Sequence, residues 1–371
     1  MLEELDRRLA GDWTFASGKI LGSMCSRPHP VAEQAFMRAL ETNIGDEGLV
    51  PGLAELEREA CSLLGTWWGN PLAAGRIVTG GTEANLLALW TARLLSPGKR
   101  EVLLPASAHY SFDKAASFMG LNLVRVPVDD RGRVRLDRME AAITPQTLAV
   151  IGIAGTTAWG AIDDIGALAA LALRHGLYFH LDASFGGFVL PFLPENRASE
   201  LYSWPEGLSS LTADPHKMGR GPIPSGMILW KDATLARTAA TDVQYLSGGR
   251  LRQNTLVGTR SGAAVAAVWA VMKHLGVPGY TAIVAEAMEL SRFLTQALTQ
   301  ISGVEPVLAE PQVNVVGVRS THMPTPLLVA SLREKGWALS TWQHSFRVVV
   351  MPHVTRSVLK EFLADLQEVA G

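Results

Sequence analysis

Near the start of the chain, apolar residues recur every three to four positions. Val31, Ala35, Phe36, Ala39 and Leu40 form one such stripe, and Leu53, Leu56, Ala60, Leu63 and Leu64 form a second. Both predict amphipathic helices. From Arg76 the pattern changes to short apolar runs. Ile77–Val78, Val102–Leu104, Leu123–Val128, Leu148–Ala154, Tyr178–Leu181 and Met227–Trp230 predict strands, with helical stretches such as Glu83–Leu95 and Ile165–Arg174 between most of them. Strand-helix alternation of this kind predicts a mostly parallel sheet with helices on both faces.

After about Leu256 the pattern changes again. Two long helices, Ala263–His274 and Tyr280–Gln300, precede a strand-helix-strand-helix tail that ends in Phe346–Val350 and Val354–Val369. The expected architecture is therefore α/β: an N-terminal segment (1–50), a large α/β domain (51–255) and a smaller C-terminal α+β domain (256–371). The Gly- and Arg-rich stretch Ser247–Arg252 reads as an exposed loop near the boundary.

Composition narrows the class. Of 371 residues, 48% are hydrophobic and 18% charged, a globular balance rather than a disordered one. The net charge of −2 gives no field that favours nucleic acid or an anionic membrane. Cys25 and Cys61 are too few for a disulfide framework or a thiolate metal site, so the reducing cytoplasm is the expected compartment and no metal is expected. Met1–Leu9 carries Glu3, Glu4, Asp6, Arg7 and Arg8 and lacks the apolar middle of a signal peptide. No apolar run approaches the roughly 20 residues of a membrane span.

Two residues then carry the chemistry. Asp182 ends the apolar run Tyr178–Leu181, and Lys217 follows Thr212-Ala213-Asp214-Pro215-His216. Both side chains are expected at the carboxyl ends of strands, where open α/β sheets bind ligands. An aspartate that holds a pyridine nitrogen protonated, with a lysine amine that attacks an aldehyde, is the protein kit for pyridoxal 5'-phosphate (PLP) chemistry. Either residue alone reads more simply as a loop cap or a surface lysine. Their joint placement favours the cofactor. His109, in Ala108-His109-Tyr110-Ser111, follows the strand Val102–Leu104 and can stack on a pyridine ring or serve as an ordinary loop histidine. Thr79-Gly80-Gly81-Thr82-Glu83-Ala84-Asn85 opens a helix directly after a strand, where free N–H groups suit a phosphate. Thr82 is there either a phosphate ligand or the N-cap.

At these residues the chain resembles the group II PLP-dependent decarboxylases of the aspartate aminotransferase fold (fold type I). Gly80–Asn85, His109-Tyr110-Ser111, His180-Leu181-Asp182-Ala183 and Asp214-Pro215-His216-Lys217 match in order and spacing. The nearest likeness is to the archaeal L-tyrosine/L-aspartate decarboxylases of methanofuran and coenzyme A synthesis. It rests on Gly22–Cys25 with Pro28-His29-Pro30, Glu41–Asp46, Leu256–Gly262 and Val349–His353, and it spans essentially the whole chain. The resemblance implies α-decarboxylation of tyrosine, aspartate or glutamate, and assigns roles position by position. Gly81, Thr82 and His216 hold the cofactor phosphate, His109 stacks on the ring, Asp182 takes its nitrogen and Lys217 its aldehyde carbon. Thr156 faces the 3'-oxygen or the substrate carboxylate. Gly258 and Thr259 reach the phosphate from a neighbouring subunit, which implies a homodimer. Asn43 and Asp46 line the substrate pocket, Arg347 clamps a carboxylate, and Tyr245 on a mobile loop returns a proton to the α-carbon.

Rival readings differ in specific residues. An aminotransferase usually sets its lysine after Ser or Asn rather than in Asp-Pro-His-Lys. A cysteine desulfurase carries its nucleophilic cysteine beyond the lysine, whereas both cysteines here precede it. A sphingosine-phosphate-lyase-like enzyme shares the Gly-Thr-Arg-Ser-Gly stretch but typically adds a membrane helix. From a different class, a non-catalytic relative that binds PLP or a partner protein is the remaining rival; retention of Asp182, Lys217 and His109 together argues against decay of the site.

Overall fold

The computed structural model describes residues 1–194 and 204–371. By contact the chain forms two compact units, one of Pro28–Glu286 and one of Met1–Arg27 with Ala287–Gly371.

The larger unit is built on a seven-stranded sheet. Its strands are β1 (Ala74–Val78), β2 (Glu101–Pro105), β3 (Asn122–Val126), β4 (Thr147–Ile153), β5 (Tyr178–Asp182), β6 (Leu208–Ala213) and β7 (Gly226–Trp230), in the order β1-β7-β6-β5-β4-β2-β3. β7 runs antiparallel to both of its neighbours, and every other pairing is parallel. Every residue of β4 and β5 is buried, as their near-continuous apolar runs require of central strands covered on both faces. The helix Gly81–Leu95 packs Leu86, Leu87 and Leu89 into a core shared with Leu104, Phe112, Ile151 and Ile153. The helix Ile165–His175 is punctuated as its sequence predicts. The Asp164 carboxylate accepts from Ala167 N at 2.9 Å at its start, and Gly176 turns left-handed at its end.

Register sets the site. Ile153 on β4 pairs with Asp182 on β5, and Asp182 with Thr212 on β6, so three adjacent strands finish level. The loops that follow must emerge together at one sheet edge.

The two expected long helices are one interrupted element, Gly262–Leu298, with a break at Gly276 (φ 53°) before Pro278. Proline cannot donate the helical N–H, and glycine takes the left-handed turn without a Cβ penalty. Ala263, Ala266 and Ala267 pack with Ala32, Phe36 and Ala39 of the helix Pro30–Arg38 and its cap; such small residues permit close approach. The expected loop Ser247–Arg252 ends earlier than its composition suggests. Leu251 and Arg252 belong to β9 (Leu251–Gln253), which pairs with β8 (Thr241–Val243) in a hairpin.

The smaller unit is a four-stranded antiparallel sheet: β10 (Val304–Pro306), β11 (Val315–Ser320), β12 (Ser340–Trp342) and β13 (Ser345–Val349), in the order β10-β11-β13-β12. Trp337, Phe346 and Phe362 form its core with Leu290, Leu294 and Leu298 from the last turns of the long helix. Leu21 joins this core because the backbone of residues 20–22 pairs with Ala338 and Val349, for example Leu21 N to Ala338 O at 3.0 Å. That pairing takes Met1–Arg27 out of the 1–50 segment expected from the sequence. The second boundary falls inside the long helix, later than the expected 255/256. Among the described residues, no helix is long and apolar enough to cross a membrane.

Candidate active site

Asp182 is the last residue of β5 and is 6% exposed. Its Oδ1 accepts from Ser184 Oγ at 2.6 Å and Ser184 N at 3.1 Å, and its Oδ2 from Asn85 Nδ2 at 3.0 Å. Burial alone raises a carboxyl pKa, but the Ser184 hydrogen bonds and the nearby Lys217 charge outweigh it, leaving Asp182 below the ordinary aspartate value. It is therefore ionised at neutral pH. Behind it, burial pushes the His180 imidazole down to about 4, so that ring is neutral.

Lys217 reaches the same edge from β6. The turn after Ala213 closes through Lys217 N to Asp214 O at 3.0 Å and Gly221 N to Pro215 O at 2.8 Å. This brings Lys217 Nζ back to Asp214 Oδ2 at 3.0 Å. Asp214 is 2% exposed, and its Oδ1 has no donor among the described residues. The His216 ring donates from Nδ1 to the Ser225 carbonyl and carries its Cε1 beside Gly80.

The third wall is the start of the helix Gly81–Leu95. No side chain caps it, and its first intrahelical bond is Ala84 N to Gly80 O at 3.1 Å, so the N–H groups of the first turn precede it. Thr82 is thus not the N-cap; it lies within that first turn. Glu83, which could crowd an anion, turns away: its Oε2 accepts from Thr79 N and Thr79 Oγ1, both at 2.8 Å, and its Oε1 from Leu256 N at 3.2 Å. Gly81 has no space for a Cβ, which would lie 2.5 Å from Ser184 Oγ and 3.0 Å from Asp214 Oδ2. His109, after β2, accepts from Ser111 N through Nδ1 at 3.2 Å. Burial lowers its pKa against the raising influence of Asp182, so the ring is neutral. Thr156, after β4 and 2% exposed, is held in a tight loop by Ala161 N donating to its Oγ1 at 3.0 Å.

The fold therefore gathers Gly81, Thr82, His109, Thr156, Asp182, His216 and Lys217 at one edge of the larger unit. Other expected residues occupy different surroundings. Asn43 Oδ1 accepts from Gly45 N (2.8 Å) and Arg260 N (3.0 Å), and both oxygens of Asp46 accept from Gly248 N (3.2 and 3.1 Å). Gly258 and Thr259 are exposed, beside a buried Arg260 that pairs with Glu57 and donates to Ile77 O at 3.0 Å. Tyr245, in the turn of the β8–β9 hairpin, is 87% exposed. Arg347 lies on β13 in the smaller unit, where its Nε and Nη2 donate to Gly22 O at 3.0 and 2.9 Å, and burial lowers its pKa to about 10.

Sequence reasoning assigned no role to Ser184, Asp214 or Asn85. Asn85 had a visible signal, because it interrupts the apolar run Ala84, Leu86, Leu87, Ala88, Leu89. A lone polar side chain in a buried helix face needs buried partners.

An uncapped, glycine-opened helix end for a phosphate, an ionised buried carboxylate for a protonated ring nitrogen and a lysine beside both fit PLP, and they place the molecule among the PLP enzymes of fold type I. Similarity to known proteins narrows that class. Residues 29–320 match the pyridoxal-dependent decarboxylase conserved domain. The chain is 44% identical to the L-aspartate decarboxylase of Thermococcus kodakarensis, over all of this chain and 96% of that one. It is 41% identical to a Methanothermobacter thermautotrophicus protein named "Probable L-tyrosine/L-aspartate decarboxylase", over 95% of this chain and 98% of that one. Among solved structures, a Burkholderia pseudomallei sphingosine-1-phosphate lyase superposes with a TM-score of 0.89 at 26% identity, covering 99% of this chain and 88% of that one. The chain belongs to the pyridoxal-dependent decarboxylase family. It is a PLP-dependent amino acid decarboxylase.

Proposed function

We propose that the enzyme removes the α-carboxylate of L-aspartate, giving β-alanine and carbon dioxide. The observation that carries this reading is the full-length 44% identity to an L-aspartate decarboxylase. Tyrosine is the second reading, favoured by the relative whose name includes both substrates. In this reading the enzyme is archaeal in type and cytoplasmic, and supplies β-alanine for coenzyme A or tyramine for methanofuran.

The residues divide the work as follows. Lys217 would hold the cofactor through its aldehyde carbon. The first-turn N–H groups at Gly81 and Thr82, with His216, bind the phosphate. Asp182, kept ionised by Ser184 and Asn85, holds a proton at the pyridine nitrogen. When bound, PLP supplies a conjugated system that takes up the electron pair left as the bond to the carboxylate breaks. The neutral His109 ring covers one face of that system, and Thr156 orients the 3'-oxygen or the departing carboxylate. Asn43 and Asp46 shape the substrate pocket, and Arg347 attracts a carboxylate by its charge. Tyr245 delivers a proton from its hydroxyl to the α-carbon.

Tyr245, Gly258 and Thr259 are all exposed in one chain, which supports a homodimer in which these segments complete the partner's site. Side-by-side turnover of aspartate, tyrosine and glutamate, with the amine products identified, tests the assignment. Preference for tyrosine or glutamate by an order of magnitude in kcat/KM overturns the aspartate reading.

A further inference from the structure

Behind Asp182 lies a buried polar cluster that spans two strands, β5 and β6, and two helices, Gly81–Leu95 and Ser111–Met119. Tyr178 OH donates to Ser210 Oγ at 2.7 Å, and Ser210 Oγ meets His180 Nδ1 at 2.8 Å. His180 Nε2 meets Asn85 Oδ1 at 2.9 Å, and Thr212 Oγ1 donates to the same oxygen at 2.9 Å. Asn85 Nδ2 then donates to Asp182 Oδ2 and to Ser111 Oγ, each at 3.0 Å. His180, Ser210, Thr212 and Ser111 are fully buried, and Asn85 is 1% exposed.

The hydrogen positions follow from chemistry. The ionised Asp182 only accepts, so the Asn85 amide must present its NH2 to it and its oxygen to His180 and Thr212. Tyr178 gives its hydrogen to Ser210, which leaves the Ser210 hydrogen for His180 Nδ1. His180 then carries its own hydrogen on Nε2 and donates to Asn85. The donors of Tyr178, Ser210 and His180 thus run in relay toward Asn85, whose amide has both its oxygen and its NH2 engaged. Rotating that amide by half a turn would set its oxygen against the carboxylate and its NH2 against two donors.

We infer that Asn85 is a positioning residue for the reaction: locked from behind by His180 and Thr212, it fixes the Asp182 carboxylate in its ionised form and so keeps the shared proton on the pyridine nitrogen of the cofactor. The inference rests on Asp182 being the partner of that nitrogen. A hydrogen bond from a neutral donor to a buried carboxylate stabilises only the charged form. Without it the proton moves toward the carboxylate, and the ring loses the charge that makes it an electron sink. The other charged or titratable groups facing Asp182 are Lys217, His180 and His109. Lys217 engages Asp214 and both imidazoles are neutral; among the described residues, Asn85 and Ser184 donate to the carboxylate.

The test is nitrogen-15 NMR of the holoenzyme loaded with PLP labelled at the ring nitrogen, a readout independent of turnover. The parent gives the resonance of a protonated ring. Asn85→Leu, close in size but without the amide, shifts it toward the unprotonated position, by about ten- to a hundredfold in the proton-sharing equilibrium. Thr212→Val removes one of the two donors that lock the amide and gives a smaller shift in the same direction; it decides the matter if the leucine variant does not fold. Asp182→Asn is the separate arm. An unshifted resonance there removes Asp182 from the nitrogen, whereas a shift there with none in Asn85→Leu or, failing that, in Thr212→Val reduces the cluster to packing.

Discussion

Gly81 is where the opening turn of the helix Gly81–Leu95, Ser184 and Asp214 come closest, and a single methyl group there tests the proposed phosphate cup. In Gly81→Ala the new Cβ lies 2.5 Å from Ser184 Oγ, 3.0 Å from Asp214 Oδ2 and 3.3 Å from Asp214 Oδ1. Carbon contacts settle at about 3.5–4 Å, so Ser184 must withdraw by about 1 Å. That movement breaks the 2.6 Å bond from Ser184 Oγ to Asp182. Losing a hydrogen bond to a charged group costs about 1.5–3 kcal/mol, and overpacking adds about 1–3 kcal/mol. Alanine is the better helix former by about 1 kcal/mol, which offsets only part of this. Part of the loss falls on the cofactor-free fold and part on cofactor affinity. Titrating cofactor-free protein with PLP, followed by the visible absorbance of the lysine-bound cofactor, should show Kd weakened about ten- to a hundredfold. Ser184→Ala frees the space, so Gly81→Ala in that background should cost much less than it does alone. Affinity equal to the parent's in the single variant, or losses that simply add in the double, would refute the reasoning.

Borohydride reduction of the holoenzyme followed by peptide mapping should place the pyridoxyl group on Lys217, and a label on another lysine discards the assignment. Tyr245→Phe keeps the ring and removes only the acid, so cofactor and substrate should still bind while amine release slows and some aldehyde forms; amine at the parental rate would move the proton to another donor. Asp163 is buried with its oxygens accepting from Val134 N (2.6 Å) and Ile153 N (2.8 Å), and burial nonetheless pushes its pKa up from 3.8 to about 6. A carboxyl whose folded pKa is raised contributes stability that is complete below about pH 4 and lost as pH rises through 6, here about 3 kcal/mol. Urea unfolding from pH 4 to 7 should therefore show the stability difference between parent and Asp163→Asn drifting toward the variant as pH rises, and a flat difference would contradict this.

Much of this molecule is legible in one dimension. Strands such as β4 and β5 are apolar along their whole length because both faces are covered, and period alone finds them. The break between the two long helices follows from Gly276 and Pro278, whose backbone limits are local. Asp182 and Lys217 were legible for a related reason: a strand followed by a polar loop puts the loop at the strand's carboxyl end. The glycines Gly80–Gly81 mark the start of the helix Gly81–Leu95 in the same local way.

Other features depend on which segments meet. Nothing local says that residues 20–22 add to the strand edge at Ala338, or that the stretch after Arg250 returns as β9. Those pairings are made by backbone groups that every sequence carries, so they leave no mark in residue type. The same holds for the site. The sequence supplies an ionisable Asp182, but its protonation is set by Ser184 two residues away and by Asn85, 97 positions earlier in the chain. Residue type determines which chemistry is available. Tertiary structure decides which charge state that chemistry is held in, because a pKa depends on the solvent removed and the donors supplied by neighbours that only the fold brings together.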